Sequence, residues 1–264
     1  MTTENTIRDS VRESYAARAR TFLNPADIIP LTAAEPAACC SAEGACCATS
    51  ASAAEQGYKA EDVGALPADI TEMTLGCGDP LSIAGLQPGQ RVLDLGSGAG
   101  FDCFLAAQKV GDTGWVIGVD MTPEMLSLAW KNAARTGAHN VEFRYGHIEH
   151  LPVEAESIDV VLSNCVINLS PDKPAVFREA FRVLKPGGKF AVSDIVADRE
   201  IEPAAQANIG SYCECVAGAS EESKYLADLS AAGFREVRVT GRVPYADVPG
   251  SGAKTWSVKV EALK

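Results

Sequence analysis

Short, largely apolar segments of strand length alternate with segments of helical periodicity through the middle of the chain. The predicted strands are Arg91–Leu95, Trp115–Asp120, Val141–Tyr145, Asp159–Asn164 and Lys189–Asp194. Helical spacing follows at Phe101–Val110, from Pro123 and from about Asp172. Strands that alternate with helices in this way indicate parallel pairing with right-handed crossovers. The predicted fold class is therefore α/β, a doubly wound Rossmann-like sheet that binds ligands at the carboxyl ends of its strands.

The two ends of the chain differ from this middle part. Near the amino end, Ile7, Val11, Tyr15 and Ala19 repeat at four-residue spacing and predict a helix that packs as a lid or arm. Residues 32–56 are rich in Ala, Ser and Cys and hold few large apolar side chains, which predicts a flexible arm. The last part predicts a helix over 221–232 and strands over 234–240 and 255–261.

These patterns divide the chain into three expected parts. Residues 1–57 form the helix and the flexible Cys-rich arm, residues 58–197 form the ligand-binding core, and residues 198–264 form a C-terminal substrate-site segment. A chain of 264 residues is long enough for one large domain with a full core.

The charge balance narrows the expected partners. The formal net charge is -12 and no basic patch is visible, which argues against nucleic acid and against an anionic membrane surface. The sequence has no signal-peptide pattern and no apolar run of membrane-spanning length, so a cytoplasmic location is expected. Nine cysteines are many for that compartment, where thiols stay reduced, and they are expected to bind or react.

A glycine-rich turn follows the first predicted strand, with Gly96, Gly98 and Gly100 at alternate positions. Such a turn lets the backbone approach a nucleotide-like ligand, and the following helix start presents free amides. A dinucleotide fingerprint would need a small residue where the bulky Phe101 stands. Asp94 suits the ammonium group of S-adenosylmethionine instead. A dinucleotide and a purely structural turn remain alternatives at this point.

Two further strand ends extend this predicted site. Asp120 ends the second strand, where a carboxylate can accept both ribose hydroxyls of an adenosine. The third strand leads into residues 146–152, and in this kind of fold the adenine edge lies there.

The cysteines fall into several groups. Cys39-Cys40 and Cys46-Cys47 are adjacent pairs in the arm, for which a thiol carrier or redox role, a solvated loop and a zinc site are alternatives. Cys77 lies between two glycines before a short predicted helix that is capped by Asp79. It is either an exposed thiol or a small apolar filler of a tight turn.

Taken together, the motifs resemble those of class I S-adenosylmethionine-dependent methyltransferases, and more narrowly of arsenite methyltransferases. The resemblance covers about Tyr58 to Phe234. It rests on Leu-Gly-Cys-Gly (75–78), Asp-Leu-Gly-Ser-Gly (94–98), Gly-Val-Asp-Met-Thr (118–122), Ser-Asn-Cys-Val-Ile-Asn-Leu (163–169) and Cys-Val-Ala-Gly-Ala (215–219). The three motifs that contain cysteine are the most specific.

The resemblance implies S-adenosylmethionine as the cofactor and assigns the residues that bind it. These are Asp94, Gly96, Ser97, Gly98, Asp120, Met121, Ile148, Glu149 and Asn164. The sequence departs from the family at Asp79, where Asn is common, and at His147, where an acid is usual. The adenine contact is therefore expected from the Ile148 backbone and from Glu149.

The resemblance also implies that Cys77, Cys165 and Cys215 hold trivalent arsenic. Arsenite or its thiol conjugates would be the substrate, and methylated arsenicals the product. Because methyl transfer formally oxidises the arsenic, thiols must reduce it again, and an external thiol reductant of the thioredoxin or glutathione type must restore them. Cys39, Cys40, Cys46 and Cys47 are the candidate delivery or redox thiols.

Two other functions and two other cysteines complete the expectations. The chain could methylate another small molecule, such as a quinone or a thiol, or it could bind arsenite without catalysis. Cys213 lies two residues before Cys215, and it would share a face with it if the segment were extended. Cys103 is expected to pack in the core.

Overall fold

The computed structural model describes residues 3–23 and 52–264. Its strands are β1 (Arg91–Leu95), β2 (Trp115–Asp120), β3 (Val141–Tyr145), β4 (Ile158–Asn164), β5 (Leu184–Ala197), β6 (Ser220–Glu221), β7 (Arg235–Asp247) and β8 (Lys254–Leu263). Its helices are α1 (Thr3–Arg20), α2 (Ala60–Val63), α3 (Ala68–Thr71), α4 (Leu81–Ala84), α5 (Phe101–Val110), α6 (Pro123–Thr136), α7 (Lys173–Val183), α8 (Pro203–Gln206), α9 (Ile209–Cys213) and α10 (Glu222–Ala231), with a 3₁₀ helix at Ile167–Leu169.

The strands form one sheet in the order β3-β2-β1-β4-β5-β8-β7, with β6 paired to β5 beside this path. Strands β1 to β5 are parallel, whereas β8 runs antiparallel to both β5 and β7. Since β2 and β4 flank β1 on opposite sides, the chain order reverses there and a crevice opens at the carboxyl ends of these strands. The predicted doubly wound α/β fold is confirmed.

Apolar side chains cover both faces of this sheet because neighbouring strand residues point in opposite directions. Val92 joins the cluster under α5 and α6, whereas Leu93 joins the cluster under α7 and α10. In the second cluster, Phe177 meets Tyr225 edge to face, with ring centroids 5.1 Å apart. A sheet buried on both faces explains why its strands read as continuous apolar runs.

Local signals fix several element ends as the sequence predicts. The Asp172 side chain accepts a hydrogen bond from the Ala175 amide at 3.0 Å and caps α7. Asp79 accepts a hydrogen bond from the Ser82 amide at 3.1 Å, but α4 begins at Leu81 with Pro80 at the N-cap position, one residue later than predicted. Helix α1 ends at Arg20.

Two strands are longer than predicted. The pairing of β4 with β5 jumps from Leu184 to Lys189, so the four residues between them form an irregularity inside β5, which begins at Leu184 rather than at the predicted Lys189. Strand β7 continues past Thr240 to Asp247, because it pairs with β8 along nearly its whole length. These lengths depend on partner strands, which local periodicity does not report.

Helix α1 lies across the carboxyl edge of the sheet, against α6 and α9. Val11, Ala16 and Ala19 are buried along one side of the helix. The apolar residues recur at about four-residue spacing because they face the protein interior on this side. Within the described residues, no helix has both the length and the apolar character that crossing a lipid bilayer requires.

Candidate functional site

A cleft of about 950 Å³, partly open to solvent, lies at the carboxyl ends of β1, β2 and β4. All nine residues that the sequence assigned to cofactor binding line it, namely Asp94, Gly96, Ser97, Gly98, Asp120, Met121, Ile148, Glu149 and Asn164. Cys165 lines the same cleft, whereas Cys77 and Cys215 are not among the residues that line it.

The glycine-rich turn forms one wall of the cleft. Gly96 has φ +67°, and a β-carbon there would lie 2.3 Å from the Val166 side chain, so only glycine lets the segment after β4 pack against this turn. Gly98 has φ +51°, and a β-carbon on it would meet open space. The first glycine therefore permits packing, and the second keeps the backbone open toward a ligand.

Asp120 is held in place by the turn on one side and by the start of α6 on the other. Its two carboxylate oxygens accept hydrogen bonds from the Gly98 amide at 2.9 Å and from the Thr122 amide at 2.8 Å. Burial raises the pKa of this carboxyl despite those bonds. Each oxygen keeps a further acceptor position, which suits a ligand with two neighbouring hydroxyls.

A pair of buried carboxyls lies deeper in the cleft. Asp94 is 2 % exposed and Asp102 is 8 % exposed, and no Lys or Arg of the described residues forms an ion pair with either. Burial, and then the charge of Asp102, raises the pKa of Asp94 well above its usual value. Burial raises the pKa of Asp102 to about 6. A ligand cation would stabilise both carboxylates.

The Ser97 hydroxyl adds a polar group to this site. Its oxygen is buried and has no hydrogen-bond partner among the described residues. An unpartnered buried hydroxyl is costly unless a ligand or water satisfies it. The cleft therefore offers the glycine turn, a diol acceptor, paired carboxyls and a free hydroxyl, which fit a cationic nucleoside.

After the end of β3, Glu149 makes contacts with Ser170 and Arg8 that the sequence did not predict. Glu149 accepts a hydrogen bond from the Ser170 hydroxyl at 2.6 Å and pairs with the guanidinium of Arg8 at 3.1 Å. Arg8 belongs to α1 and lines the cleft, so this pair fastens the helix over the cleft. The apolar spacing of α1 signalled a buried face, but nothing local identified Arg8 as part of the site.

Cys165 and Cys215 both adopt a left-handed backbone conformation, with φ +61° and +64°. Non-glycine residues rarely do so, and two of the four found in the described residues are these cysteines. The Cys215 thiol donates to the Cys165 carbonyl at 2.6 Å. Hydrogen bonding with the Cys215 and Cys77 thiols, reinforced by burial, raises the pKa of Cys165 well above its usual value.

Cys77 approaches from the segment before α4. Its amide donates to the Asn164 side chain at 3.0 Å, and its carbonyl accepts from the Ser257 hydroxyl at 2.8 Å. The thiols of Cys77, Cys165 and Cys215 are thus neighbours, and we call them the thiol cluster. No three His, Cys, Asp or Glu side chains of the described residues already converge on one metal position, so a bound ion would require these thiols to turn toward it.

The remaining cysteines divide as follows. Cys103 is fully buried, as expected, and its thiol also donates to Asp94 at 3.3 Å. Cys213 is the last residue of α9, so the segment that holds Cys213 and Cys215 is not extended. The two cysteines therefore do not lie on one face of a strand. The four arm thiols, Cys39, Cys40, Cys46 and Cys47, lie outside the described residues.

Comparisons with known proteins identify the family. A family model described as a methyltransferase domain matches residues 86–233. The crystal structure of an arsenic(III) S-adenosylmethionine methyltransferase from Chlamydomonas reinhardtii superimposes with a TM-score of 0.70 and 36% identity, over 77% of this chain and 72% of that one.

Two curated relatives are named arsenite methyltransferase. The protein from Halobacterium salinarum is 49% identical over 88% of this chain and 58% of its own length. The protein from Aquipseudomonas alcaligenes is 48% identical over 57% of this chain and 45% of its own length. The chain thus spans about half the length of these relatives.

Proposed function

Because the chain belongs to the arsenite methyltransferases of the class I methyltransferase family, we propose that it transfers a methyl group from S-adenosylmethionine to trivalent arsenic. The observation that carries this proposal is the thiol cluster, drawn from three distant segments and meeting the cofactor cleft at Cys165. In this proposal the cleft binds the methyl donor, and the thiol cluster binds the arsenic that accepts the methyl group.

In this proposal each polar feature of the cleft has a part in binding the cofactor. Asp94 and Asp102 would hold the ammonium group of its methionine end, and Asp120 would accept hydrogen bonds from the ribose hydroxyls. Ile148 supports the adenine. S-adenosylmethionine, when bound, supplies a methyl group on a positively charged sulfur, which is an electrophile that needs no further activation.

The thiol cluster provides what trivalent arsenic requires. Arsenic in this state is soft, prefers thiolate sulfur, and takes three ligands while keeping a lone pair. Exchange of the three hydroxides of arsenite for three cysteine thiols forms three arsenic–sulfur bonds, and each thiol proton leaves with a hydroxide as water, so three waters and no net proton are released. Cys77, Cys165 and Cys215 then fix the direction of the lone pair, so the protein acts mainly by positioning.

The lone pair forms the new arsenic–carbon bond while the carbon–sulfur bond of the sulfonium breaks, and S-adenosylhomocysteine leaves. Arsenic is formally oxidised by two electrons in this step. Two cysteine thiols return those electrons and become a disulfide, and a dithiol or glutathione-type reductant reduces that disulfide. We assign the return of electrons to arsenic to one or more of Cys39, Cys40, Cys46 and Cys47. In the cytoplasm, where we expect the protein to work, thiols stay reduced.

The experiment is a methyl-transfer assay on the purified full chain. We expect arsenite, a dithiol reductant and methyl-labelled S-adenosylmethionine to give labelled methylarsenicals, separated by liquid chromatography with element-specific detection. Omission of arsenite should abolish the product. Label transfer to a quinone or a small thiol, without arsenite turnover, would instead identify another small-molecule methyltransferase. Stoichiometric arsenite binding without turnover would identify a binding protein.

A further inference from the structure

We propose that Asn164 is a positioning residue that ties the Cys77 segment to the cofactor cleft, so that cofactor binding and arsenite binding strengthen each other. This inference rests on the proposed function for the identity of the two ligands. It concerns a side chain that the sequence assigned only to cofactor contact.

The Asn164 side chain binds two neighbouring main-chain groups of the Cys77 segment. Its Oδ1 accepts a hydrogen bond from the Cys77 amide at 3.0 Å. Its Nδ2 donates to the Gly78 carbonyl at 2.7 Å. Asn164 also directly precedes Cys165. A single side chain therefore sets the distance between the backbones that carry two of the three proposed arsenic ligands.

The packing at Gly76 shows how closely this segment approaches Asn164. A β-carbon on Gly76 would lie 2.1 Å from Asn164 Nδ2 and 2.2 Å from its Cγ. No side chain fits between the two, so the backbone of the segment lies directly against the Asn164 amide group. Glycine before Cys77 is required by this contact.

The other side of the same amide faces the cofactor cleft. Nδ2 lies 2.8 Å from the Tyr58 hydroxyl and 3.2 Å from Asp102 Oδ2, and Tyr58 donates to Asp102 Oδ1 at 2.5 Å. Tyr58 is buried and packs edge to face on Phe101, with ring centroids 5.0 Å apart. The chain of contacts thus runs from a carboxylate in the cleft, through Asn164, to the Cys77 main chain.

The amide has only two hydrogens, and three protein acceptors already surround them. Asn164 is therefore better placed to organise its neighbours than to donate to a ligand. A cation in the cleft would hold Asp102 in its charged form, and a charged acceptor forms a stronger hydrogen bond with the Asn164 amide. That bond tightens the segment bearing Cys77. The coupling must be reciprocal, because it is a difference in binding free energy.

The test measures arsenite affinity by calorimetry in a phosphine reductant, with and without saturating S-adenosylhomocysteine, which cannot react. For the wild type we expect affinity to rise about tenfold with the nucleoside present, within the usual range of allosteric coupling. In Asn164→Ala the factor should fall to below about twofold, and arsenite should bind about tenfold more weakly on its own. Full wild-type coupling in the variant, or none in the wild type, would overturn the proposal.

Two further variants separate positioning from general damage. We call the contacts that run from Asp102 through Asn164 to the Cys77 main chain the relay. Tyr58→Phe removes one hydroxyl beside Asp102 and Asn164 and keeps the ring, so it should reduce the coupling. This variant tests the relay even if Asn164→Ala fails to fold. Asn140→Ala is the matched control, because Asn140 is buried and donates to the carbonyls of Ala107 and Gly111, away from both sites. It should keep the wild-type coupling factor, and loss of coupling there would contradict the relay.

The outcomes also separate this inference from the proposed function. Methylation of arsenite without any coupling would leave the function intact and refute the role of Asn164. Coupled binding without methyl transfer would support the relay and refute the enzymatic activity.

Discussion

The cofactor cleft and the thiol cluster adjoin each other but are built in opposite ways. The cleft is assembled from strand ends and one short turn, and its polar groups are mainly carboxylates and backbone amides. The thiol cluster joins segments at residues 77, 165 and 215, two of them in left-handed backbone. The position of the cofactor cleft therefore follows from the fold of the sheet, whereas the thiol cluster depends on three separate segments that the sheet brings together.

This difference predicts that the two sites can be damaged separately, even though Asn164 links them. Changes in the thiol cluster should abolish arsenite chemistry while cofactor affinity is kept. Changes in the cleft should weaken cofactor binding while stoichiometric arsenite binding persists.

Replacing Cys165 by serine should give the largest loss. Serine keeps the size but supplies a hard oxygen that binds trivalent arsenic poorly. We expect arsenite-dependent turnover to fall at least ~1,000-fold, which corresponds to ~4 kcal/mol of transition-state stabilisation. The measurement is product formation, with S-adenosylhomocysteine affinity by calorimetry as the internal control.

That affinity should stay within about twofold of wild type, because thiol-to-hydroxyl exchange leaves the cleft carboxylates unchanged. Full turnover in Cys165→Ser would refute the ligand assignment. Equal loss of cofactor affinity would show that the two sites do not separate.

Asp194, at the thiol-cluster end of the sheet, should make stability depend on pH. It is fully buried, bonded to Asn168 at 2.8 Å, and burial raises its pKa to about 7. Between about pH 4 and pH 7 the unfolded chain loses this proton while the folded protein keeps it. The free energy of unfolding therefore falls as pH rises through that window and levels off above it.

Asp194→Asn removes this ionisation and preserves acceptor capacity. Its stability advantage over wild type should grow from near zero at pH 4 by up to ~4 kcal/mol at pH 8, from about three pKa units at ~1.4 kcal/mol each. Urea denaturation at several pH values measures it. A constant difference across that range would mean that Asp194 does not titrate as described.

Asp120→Asn should damage the cofactor cleft and leave the thiol cluster intact, the converse of Cys165→Ser. The amide cannot accept on both of its ends, so it should lose a charge-assisted bond to the ribose and one bond to the turn. We expect the cofactor KM to rise ~30-fold, or ~2 kcal/mol. Stoichiometric arsenite binding should persist. Asp198→Asn, on a surface carboxylate paired with Arg199, is the matched control and should leave KM unchanged.

Arg8→Gln should have the smallest effect. Arg8 is partly exposed, so its pair with Glu149 adds at most ~1 kcal/mol to stability. Weaker fastening of α1 should raise the dissociation rate of S-adenosylhomocysteine about threefold, which stopped-flow fluorescence can follow. Arg12→Gln on the same helix, where Arg12 pairs with the exposed Asp9, should leave that rate at the wild-type value.

The contrast between the two sites also explains what could be predicted from the sequence. Asp94, Gly96 and Asp120 follow short apolar runs, and parallel pairing brings strand ends together, so the cleft could be located from local pattern and topology. The pair between Arg8 and Glu149 joins positions 141 residues apart, and no periodicity encodes it. The same holds for the bonds from Asn164 to the Cys77 segment.

The segment around Cys213 and Cys215 illustrates a second limit. An extended strand was one way to place both thiols, but α9 ends at Cys213 and the chain then turns through left-handed backbone at Cys215. Glycine usually marks such a position in a sequence, and here cysteine occupies it. The thiol cluster was therefore recognisable from family resemblance, and its geometry was not.

The left-handed cysteines have a consequence for how this protein could change under selection. Each costs about 1 kcal/mol relative to glycine at the same backbone position. Cys165→Gly and Cys215→Gly would relieve that strain while removing the sulfur. A population selected only for heat resistance would therefore tend to lose these two cysteines. Under the proposed function, selection for arsenite methylation opposes that loss, so the sulfur of these two side chains is kept at a cost in stability.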